Sequence, residues 1–446
     1  MRIASFHRCR KHSGDGITAA GLSLLRIWAQ APLAALLLAL GVTALSAPTT
    51  CLAADDCFEQ AECEEDDEEE EEEPWTLQEA LGERLCCESP LNYGGWFQAG
   101  YTTNAHGNRT GNGNLPLSLN NVADTPVVNQ LWGYLEKPLD MECNCVDWGF
   151  RLDTIFGADG PDMQAFGDQG WDYDWNTSRD YGLAIPQLYV ELGVCDWVVQ
   201  AGYILAPLGW ESLQAYDNFF YTHNYAYNYG TAGTFSGVIV SREVSDDFEF
   251  MAGWSTSWDS WLSNHLSGSM FMGGFEWSLG EKTDLTYYVS AGDFGDGTAK
   301  NGADSNAGRL YAHSITLSYE LSERTTYVFE HVLGMNTGLG ADNNEWYSIT
   351  NYLTHEINPC WAAGLRLEWF RDDDGYRVDT NGSGPGSFYE ATVGLNWMPH
   401  SNVRVRPEAR WDWFSGQGQP FDSRDGGNSG TTVHQFTGAI DVVITF

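Results

Sequence analysis

The chain has 446 residues, with 62 Asp and Glu against 22 Lys and Arg, for a formal net charge of −40. So acidic a chain cannot neutralise phosphates, which excludes an ordinary nucleic-acid binder. Aromatic residues make up 14% and Gly numbers 49, which favours strands and turns over helices. Mean hydropathy is negative and only one long apolar run occurs, so a bundle of membrane helices is excluded. A transmembrane β-barrel is not, because its strands alternate apolar with polar residues.

The first 30 residues carry Arg2, Arg8, Arg10, Lys11 and Arg26. An apolar run follows from Ala31 to Ala47, then the small-x-small pattern Cys51-Leu52-Ala53. This order predicts a secretory signal peptide over 1–53, with a single anchoring helix as the alternative. Residues 55–88 hold 17 acidic residues and one Arg, with an unbroken acidic run from Glu64 to Glu73. The segment 54–90 therefore reads as a disordered periplasmic lead. Within it Leu77, Leu81 and Leu85 share one face of a short helix.

From Tyr93 onward one unit repeats: an alternating strand, a long polar loop, a strand, a tight turn. The pattern predicts about sixteen strands, starting near Tyr93, Val128, Trp148, Ile185, Trp197, Phe235, Phe248, Ser269, Thr283, Tyr311, Thr325, Trp346, Trp361, Ser387, Val403 and Thr432. Long connections such as Thr103–Pro126, Ala158–Ala184 and Ala206–Thr234 alternate with short ones such as Gly193–Asp196 and Gly280–Lys282. That asymmetry is the layout of a closed antiparallel transmembrane barrel over 91–446, with short periplasmic turns and long extracellular loops. An even strand count leaves both chain ends on the periplasmic side.

The alternation has a charged face. Along 403–413, Val403, Val405, Pro407, Ala409, Trp411 and Trp413 oppose Arg404, Arg406, Glu408, Arg410 and Asp412. Leu365, Leu367 and Trp369 oppose Arg366 and Glu368, while Phe150, Leu152 and Phe156 oppose Arg151 and Asp153. A soluble sandwich would turn the apolar side in. A barrel in lipid inverts this, so the charged sets would line the pore. For the arginines two readings stand level: a cationic wall facing water, or ion pairs with Glu368, Glu408 and Asp412 that brace the interior. Trp148, Trp197, Trp254, Trp361, Trp369, Trp397, Trp411 and Trp413 stand near strand ends, as interfacial girdles require. Acidic loop residues, among them Asp159, Asp162, Asp168, Asp172, Asp174 and Asp372–Asp374, predict an acidic mouth and mild cation selectivity.

Cys143, Cys145 and Cys195 fall in short turns two strands apart, and in an oxidising periplasm Cys195 is expected to bond Cys143 or Cys145. No metal-ligand spacing, cofactor motif or nucleophile motif stands out, and the histidines are scattered, so an enzyme is not expected. The last strand alternates Ile440, Val442 and Ile444 to a terminal Phe446, which resembles the assembly signal read by the barrel-assembly machinery of Gram-negative outer-membrane proteins.

The stretches Tyr93-Gly-Gly-Trp-Phe-Gln, Asn129-Gln-Leu-Trp-Gly-Tyr-Leu-Glu-Lys-Pro and Arg406-Pro-Glu-Ala-Arg-Trp-Asp-Trp resemble the β-barrel porin-2 (OmpL-like) family of planctomycete-type bacteria over about residues 90–446. The resemblance implies an outer-membrane porin that passes small polar solutes and ions passively, with outer-membrane lipid around it. By resemblance to the layout of sixteen-stranded general porins, the third long loop, Ala206–Thr234, would fold inward as a constriction. It brings Glu211 and Asp217 among many aromatic rings. General porins are commonly homotrimers, and no motif decides that here. The rival reading is a surface barrel for structure or adhesion whose long loops bind; an outer-membrane enzyme ranks below it.

Overall fold

The computed structural model describes residues 75–78, 90–105, 113–141, 145–165, 171–172, 175–178, 180–261, 268–294, 308–337, 343–378, 383–422 and 430–446. The expected signal peptide, the acidic run, Asp168, Asp174 and Cys143 lie outside the described residues, as does most of the expected helix beyond Leu77.

Sixteen strands form one sheet. They are β1 (Asn92–Asn104), β2 (Pro126–Lys137), β3 (Val146–Gly157), β4 (Gly182–Val194), β5 (Trp197–Leu205), β6 (Thr234–Ser245), β7 (Phe248–Trp258) and β8 (Ser269–Ser278). The second half comprises β9 (Thr283–Asp293), β10 (Arg309–Ser322), β11 (Thr325–Thr337), β12 (Asn344–Asn358), β13 (Trp361–Asp372), β14 (Gly386–His400), β15 (Val403–Gly416) and β16 (His434–Thr445). Each pairs antiparallel with its chain neighbours, and β1 closes on β16. Gly95 and Phe446 exchange backbone hydrogen bonds of 3.0 and 2.9 Å, so both ends of the barrel segment meet on the short-turn side. Full closure leaves no unpaired edge, which is what a sheet in lipid must achieve. There Trp75 is gripped by the Asn402 side chain, which accepts its N–H at 2.8 Å and donates to its carbonyl at 2.7 Å.

Burial decides between sandwich and barrel. Leu367 is 43% exposed, while its neighbours Arg366 and Glu368 are 0% and 4% exposed. The charged face is inside and the apolar face outside. Trp148, Trp197, Trp254, Trp361, Trp397 and Trp411 stand exposed on the outer surface, where Trp369 meets Tyr347 edge to face and Trp413 stacks on Tyr389. Inside, one end is filled by aromatic residues including Phe235, Trp258, Trp346, Phe370, Phe388 and Phe414.

Two of the barrel's register shifts bear on the interior. Ile155 pairs with Ala184 and Asp153 with Gln187, so Ile185–Pro186 oppose the single Thr154. Pro186 lacks the N–H that a regular ladder would use, and a bulge accommodates it. This is why β4 begins at Gly182, three residues before the alternation becomes legible at Ile185. Between Gln98 and Ala99 of β1 the register with β2 slips, leaving Asn129 of β2 as the extra residue, so Asn129 and Gln130 are both buried.

Candidate functional site

The connection between β5 and β6, residues 206–233, is bonded through its backbone to inward-turned side chains on several strands. Five arginines donate to its carbonyls. Arg366 reaches Thr222 at 2.6 Å, Arg404 reaches Tyr216 at 2.7 Å and Arg410 reaches His223 at 2.6 Å. Arg406 reaches both Ala215 and Asn218 at 2.8 Å, and Arg377, from the connection after β13, reaches Tyr229 at 2.5 Å. Three glutamates on the strands accept from its amides, and Asp259 after β7 takes the N–H of Gly233 at 3.0 Å. Glu408 takes the N–H of Tyr221 at 2.8 Å and of Thr222 at 3.2 Å. Glu368 takes those of Tyr225 and Ala226 at 2.6 and 2.7 Å, and Glu330 takes that of Trp210 at 2.8 Å. These are charge-assisted bonds in a water-poor interior, the stronger class.

The bulge on β2 supplies the other side of the grip. Gln130 donates to the Leu213 carbonyl at 2.9 Å and accepts from the Ala215 N–H at 3.3 Å. Asn129 accepts from the Tyr221 hydroxyl at 2.8 Å. Glycines clear room for the rings. A Cβ at Gly100 would come within 2.3 Å of the Tyr221 hydroxyl, and one at Gly364 within 2.3 Å of Phe219. Phe220, Tyr221 and Tyr225 are buried, as the aromatic content of the segment requires; Trp210 stays exposed.

The arginines are paired as well as bonded to the loop. Arg366 meets Glu390 at 2.5 Å and Glu211 at 2.7 Å, Arg406 meets Asp441 at 2.5 Å, and Arg410 meets Asp412 at 2.8 Å. Arg366, Arg406 and Arg410 are 0–1% exposed, so these three form no water-facing cationic wall. The bracing reading describes them, with the loop backbone as the further partner. Only Arg404 of the four is half-buried. On β3, Arg151 pairs with Asp153 at 2.8 Å and with Glu136 of β2 at 2.7 Å. Asp153, fully buried, also accepts from Trp132 at 3.2 Å and Gln187 at 2.9 Å.

Glu211 is buried against Arg366 and also accepts the Asn224 N–H and meets His223 Nδ1, both at 3.0 Å. Burial alone would raise its carboxyl; Arg366, with His223 and the Asn224 amide, holds it down at about 2. Asp217 is exposed. The acidic mouth is thinner than its residue count suggested. Asp159, Asp172 and Asp372 are buried acceptors: Asp372 takes the N–H groups of Tyr376, Arg377 and Val378 at 2.8–2.9 Å. Burial pushes the Asp159 carboxyl up to about 7, against the Gln130 and Asn129 amides that donate to it. Asp162 and Asp374 remain exposed.

Half-exposed carboxylates stand elsewhere on the inner face. Glu243 on β6 pairs in register with Glu249 on β7, and Glu249 with Glu276 on β8. Glu191 on β4 pairs with Gln200 on β5. All are partly open to solvent. In the short turns, Cys145 and Cys195 are exposed thiols on adjacent connections, joined by a Cys195 N–H to Cys145 carbonyl bond of 2.7 Å.

The barrel has counterparts among solved structures. OmpT of Vibrio cholerae in its trimer form aligns over 80% of this chain and 99% of its own, with a TM-score of 0.51 at 8% identity. Salmonella typhi OmpF in complex with daunomycin aligns over 80% and 97%, with a TM-score of 0.51 at 10% identity. At such identity the likeness establishes the fold alone. No curated protein sequence matches the chain. The model of the family described as putative beta-barrel porin-2, OmpL-like, matches residues 90–446, the whole of the barrel, and the chain belongs to that family of outer-membrane porins.

Proposed function

We propose that the chain passes small polar solutes and ions by passive diffusion through a lumen narrowed by residues 206–233. The observation that carries this is that the segment bonds inward side chains on strands half a barrel apart, Ser314 on β10 and Asn129 and Gln130 on β2, with Glu330, Arg366, Glu368, Arg406 and Glu408 on the wall between them. The half-exposed row Glu191, Gln200, Glu243, Glu249 and Glu276 then lines the wet path, and the sealed arginines hold the constriction in place. Carboxylates along such a path enrich cations and repel anions, so mild cation selectivity follows.

The same reading places the short turns and the N-terminal lead in the periplasm. There Cys145 and Cys195 are close enough to oxidise to a disulfide. The assembly is taken to be a homo-oligomer; the OmpT form of the same fold is a trimer. Purified protein in planar bilayers tests the function. Steady unitary openings with a cation-selective reversal potential are expected; a folded barrel that stays silent, or one that prefers anions, would overturn the corresponding part.

A further inference from the structure

Lipid offers no hydrogen-bond partners, so polar groups on the outside of a barrel belong near its rims. Arg242, Glu345, His355, Arg371 and His434 obey this, each within three residues of a strand end. A diagonal across β10–β12 does not. His331 is the central residue of β11 and Asn351 the central residue of β12, and His313 on β10 lies level with Leu333, two residues from His331. All three point outward, because the residues on either side of each are buried: Ala312 and Ser314, Glu330 and Val332, Thr350 and Tyr352.

The two histidines are in contact, and Asn351 lies level with Phe329, two residues from His331. The rings of His313 and His331 are 5.5 Å apart, and the Tyr311 hydroxyl meets His313 Nδ1 at 3.0 Å. His331 donates through Nδ1 to the Ser348 carbonyl at 2.8 Å, which leaves its Nε2 as an acceptor. Asn351 accepts from the Tyr327 hydroxyl at 2.7 Å, which leaves its Nδ2 as a donor. Neither remaining group has a partner among the described residues. At one end of the same face a recess of about 320 Å³ opens between Asp293, Arg309, Tyr311, Met335 and Thr337.

We propose that the outward face of β9–β12 is the contact surface for a second copy of this chain. The diagonal holds no carboxylate, Lys or Arg, and it presents both a donor and an acceptor, so two copies of it satisfy one another where acyl chains satisfy neither. The recess beside it gives the partner's side chains a place to enter. This rests on the homo-oligomeric reading above, in the form of a two-fold pair, since a face that meets itself joins two copies; it is independent of conduction.

The test is a native-state mass measurement of the full-length protein in lipid nanodiscs, beside the variant His313→Leu/His331→Leu/Asn351→Leu. Leucine suits lipid, so the variant barrel should fold and keep its heat-shifted gel mobility. Wild type should be oligomeric, and the variant should associate roughly ten- to a hundredfold more weakly. A photoreactive phenylalanine analogue at Asn351 in otherwise native chain should give a cross-linked pair in whole membranes, and the same group at Leu131 should not. A monomeric wild type, a variant that assembles as tightly as wild type, or cross-linking to other proteins in place of a second copy would overturn the proposal. An assembled but silent barrel would count against the channel and leave this contact standing.

Discussion

The two inner walls of the barrel begin from the same sequence pattern and end in different states. On β13 and β15 the inward residues Arg366, Glu368, Arg406, Glu408, Arg410 and Asp412 are all at most 8% exposed. Each has an opposite charge or a loop peptide group within hydrogen-bond range. On β4 and β6–β8 the inward carboxylates Glu191, Glu243, Glu249 and Glu276 keep part of their surface open, and Glu243, Glu249 and Glu276 stand side by side. Like charges facing one another across strands disfavour pairing unless water or counter-ions screen them. An inward charge therefore acquires its role from what covers it. Covered by the loop it becomes structure; uncovered it faces the path.

The sharpest contrast should appear in stability. Arg366→Ala removes the nearest cation from two buried carboxylates, leaving Glu390 to Arg410 at 3.4 Å and Glu211 to His223 at 3.0 Å, and a loss of about 3–5 kcal/mol is expected on unfolding in detergent. Glu243→Gln on the other wall should stay within about 0.5 kcal/mol of wild type. Equal losses would erase the distinction between the walls. Permeation should invert that order. Replacing Glu243, Glu249 and Glu276 together by Gln should lower the cation-to-anion permeability ratio severalfold in reversal-potential measurements, with the openings retained. No change would place the wet path elsewhere.

Acid should spare the loop contact for a long way. The folded Glu211 carboxyl lies at about 2, below the usual glutamate value near 4.3, so its contribution is present above that usual value and lost as pH falls toward 2. The stability difference between wild type and Glu211→Gln should therefore hold down to about pH 5 and shrink only below it; a difference already gone by about pH 5 would point to another group. The smallest effect belongs to the turns. Unreduced native protein should leave Cys145 and Cys195 unlabelled by a thiol reagent and label both after reduction, with conductance the same. Full labelling before reduction would remove the disulfide.

Much of this architecture is legible in the residues, because a strand's side chains alternate whatever it pairs with. Trp361–Trp369 and Val403–Trp413 declare two faces, and only lipid on the outside makes the apolar one the exposed one. The bulges are less legible. Asn129-Gln130 reads as one polar residue in and one out, until the extra residue turns both inward. Glu330, Glu390 and Asp441 were missed as partners of the loop and its arginines. Asp441, alone among Ile440, Val442, Val443 and Ile444, carried a usable signal: a lone carboxylate in an apolar strand needs a cation, and Arg406 on the next strand is it. Glu368 and Glu408 were placed on the right face with the wrong partners in view. Their acceptors' needs are met by backbone N–H groups, and residue type does not announce which peptide will arrive.

That grip on the peptide groups has an evolutionary corollary. Arg404, Arg406 and Arg410 recognise carbonyls that every amino acid possesses, and Glu368 and Glu408 recognise amides that all but proline possess. The course of residues 206–233 is thus specified by the surrounding strands, and the side chains pointing away from the wall are nearly free variables. Related chains could exchange them, and with them the solutes admitted, without redesigning the scaffold that holds the segment in position.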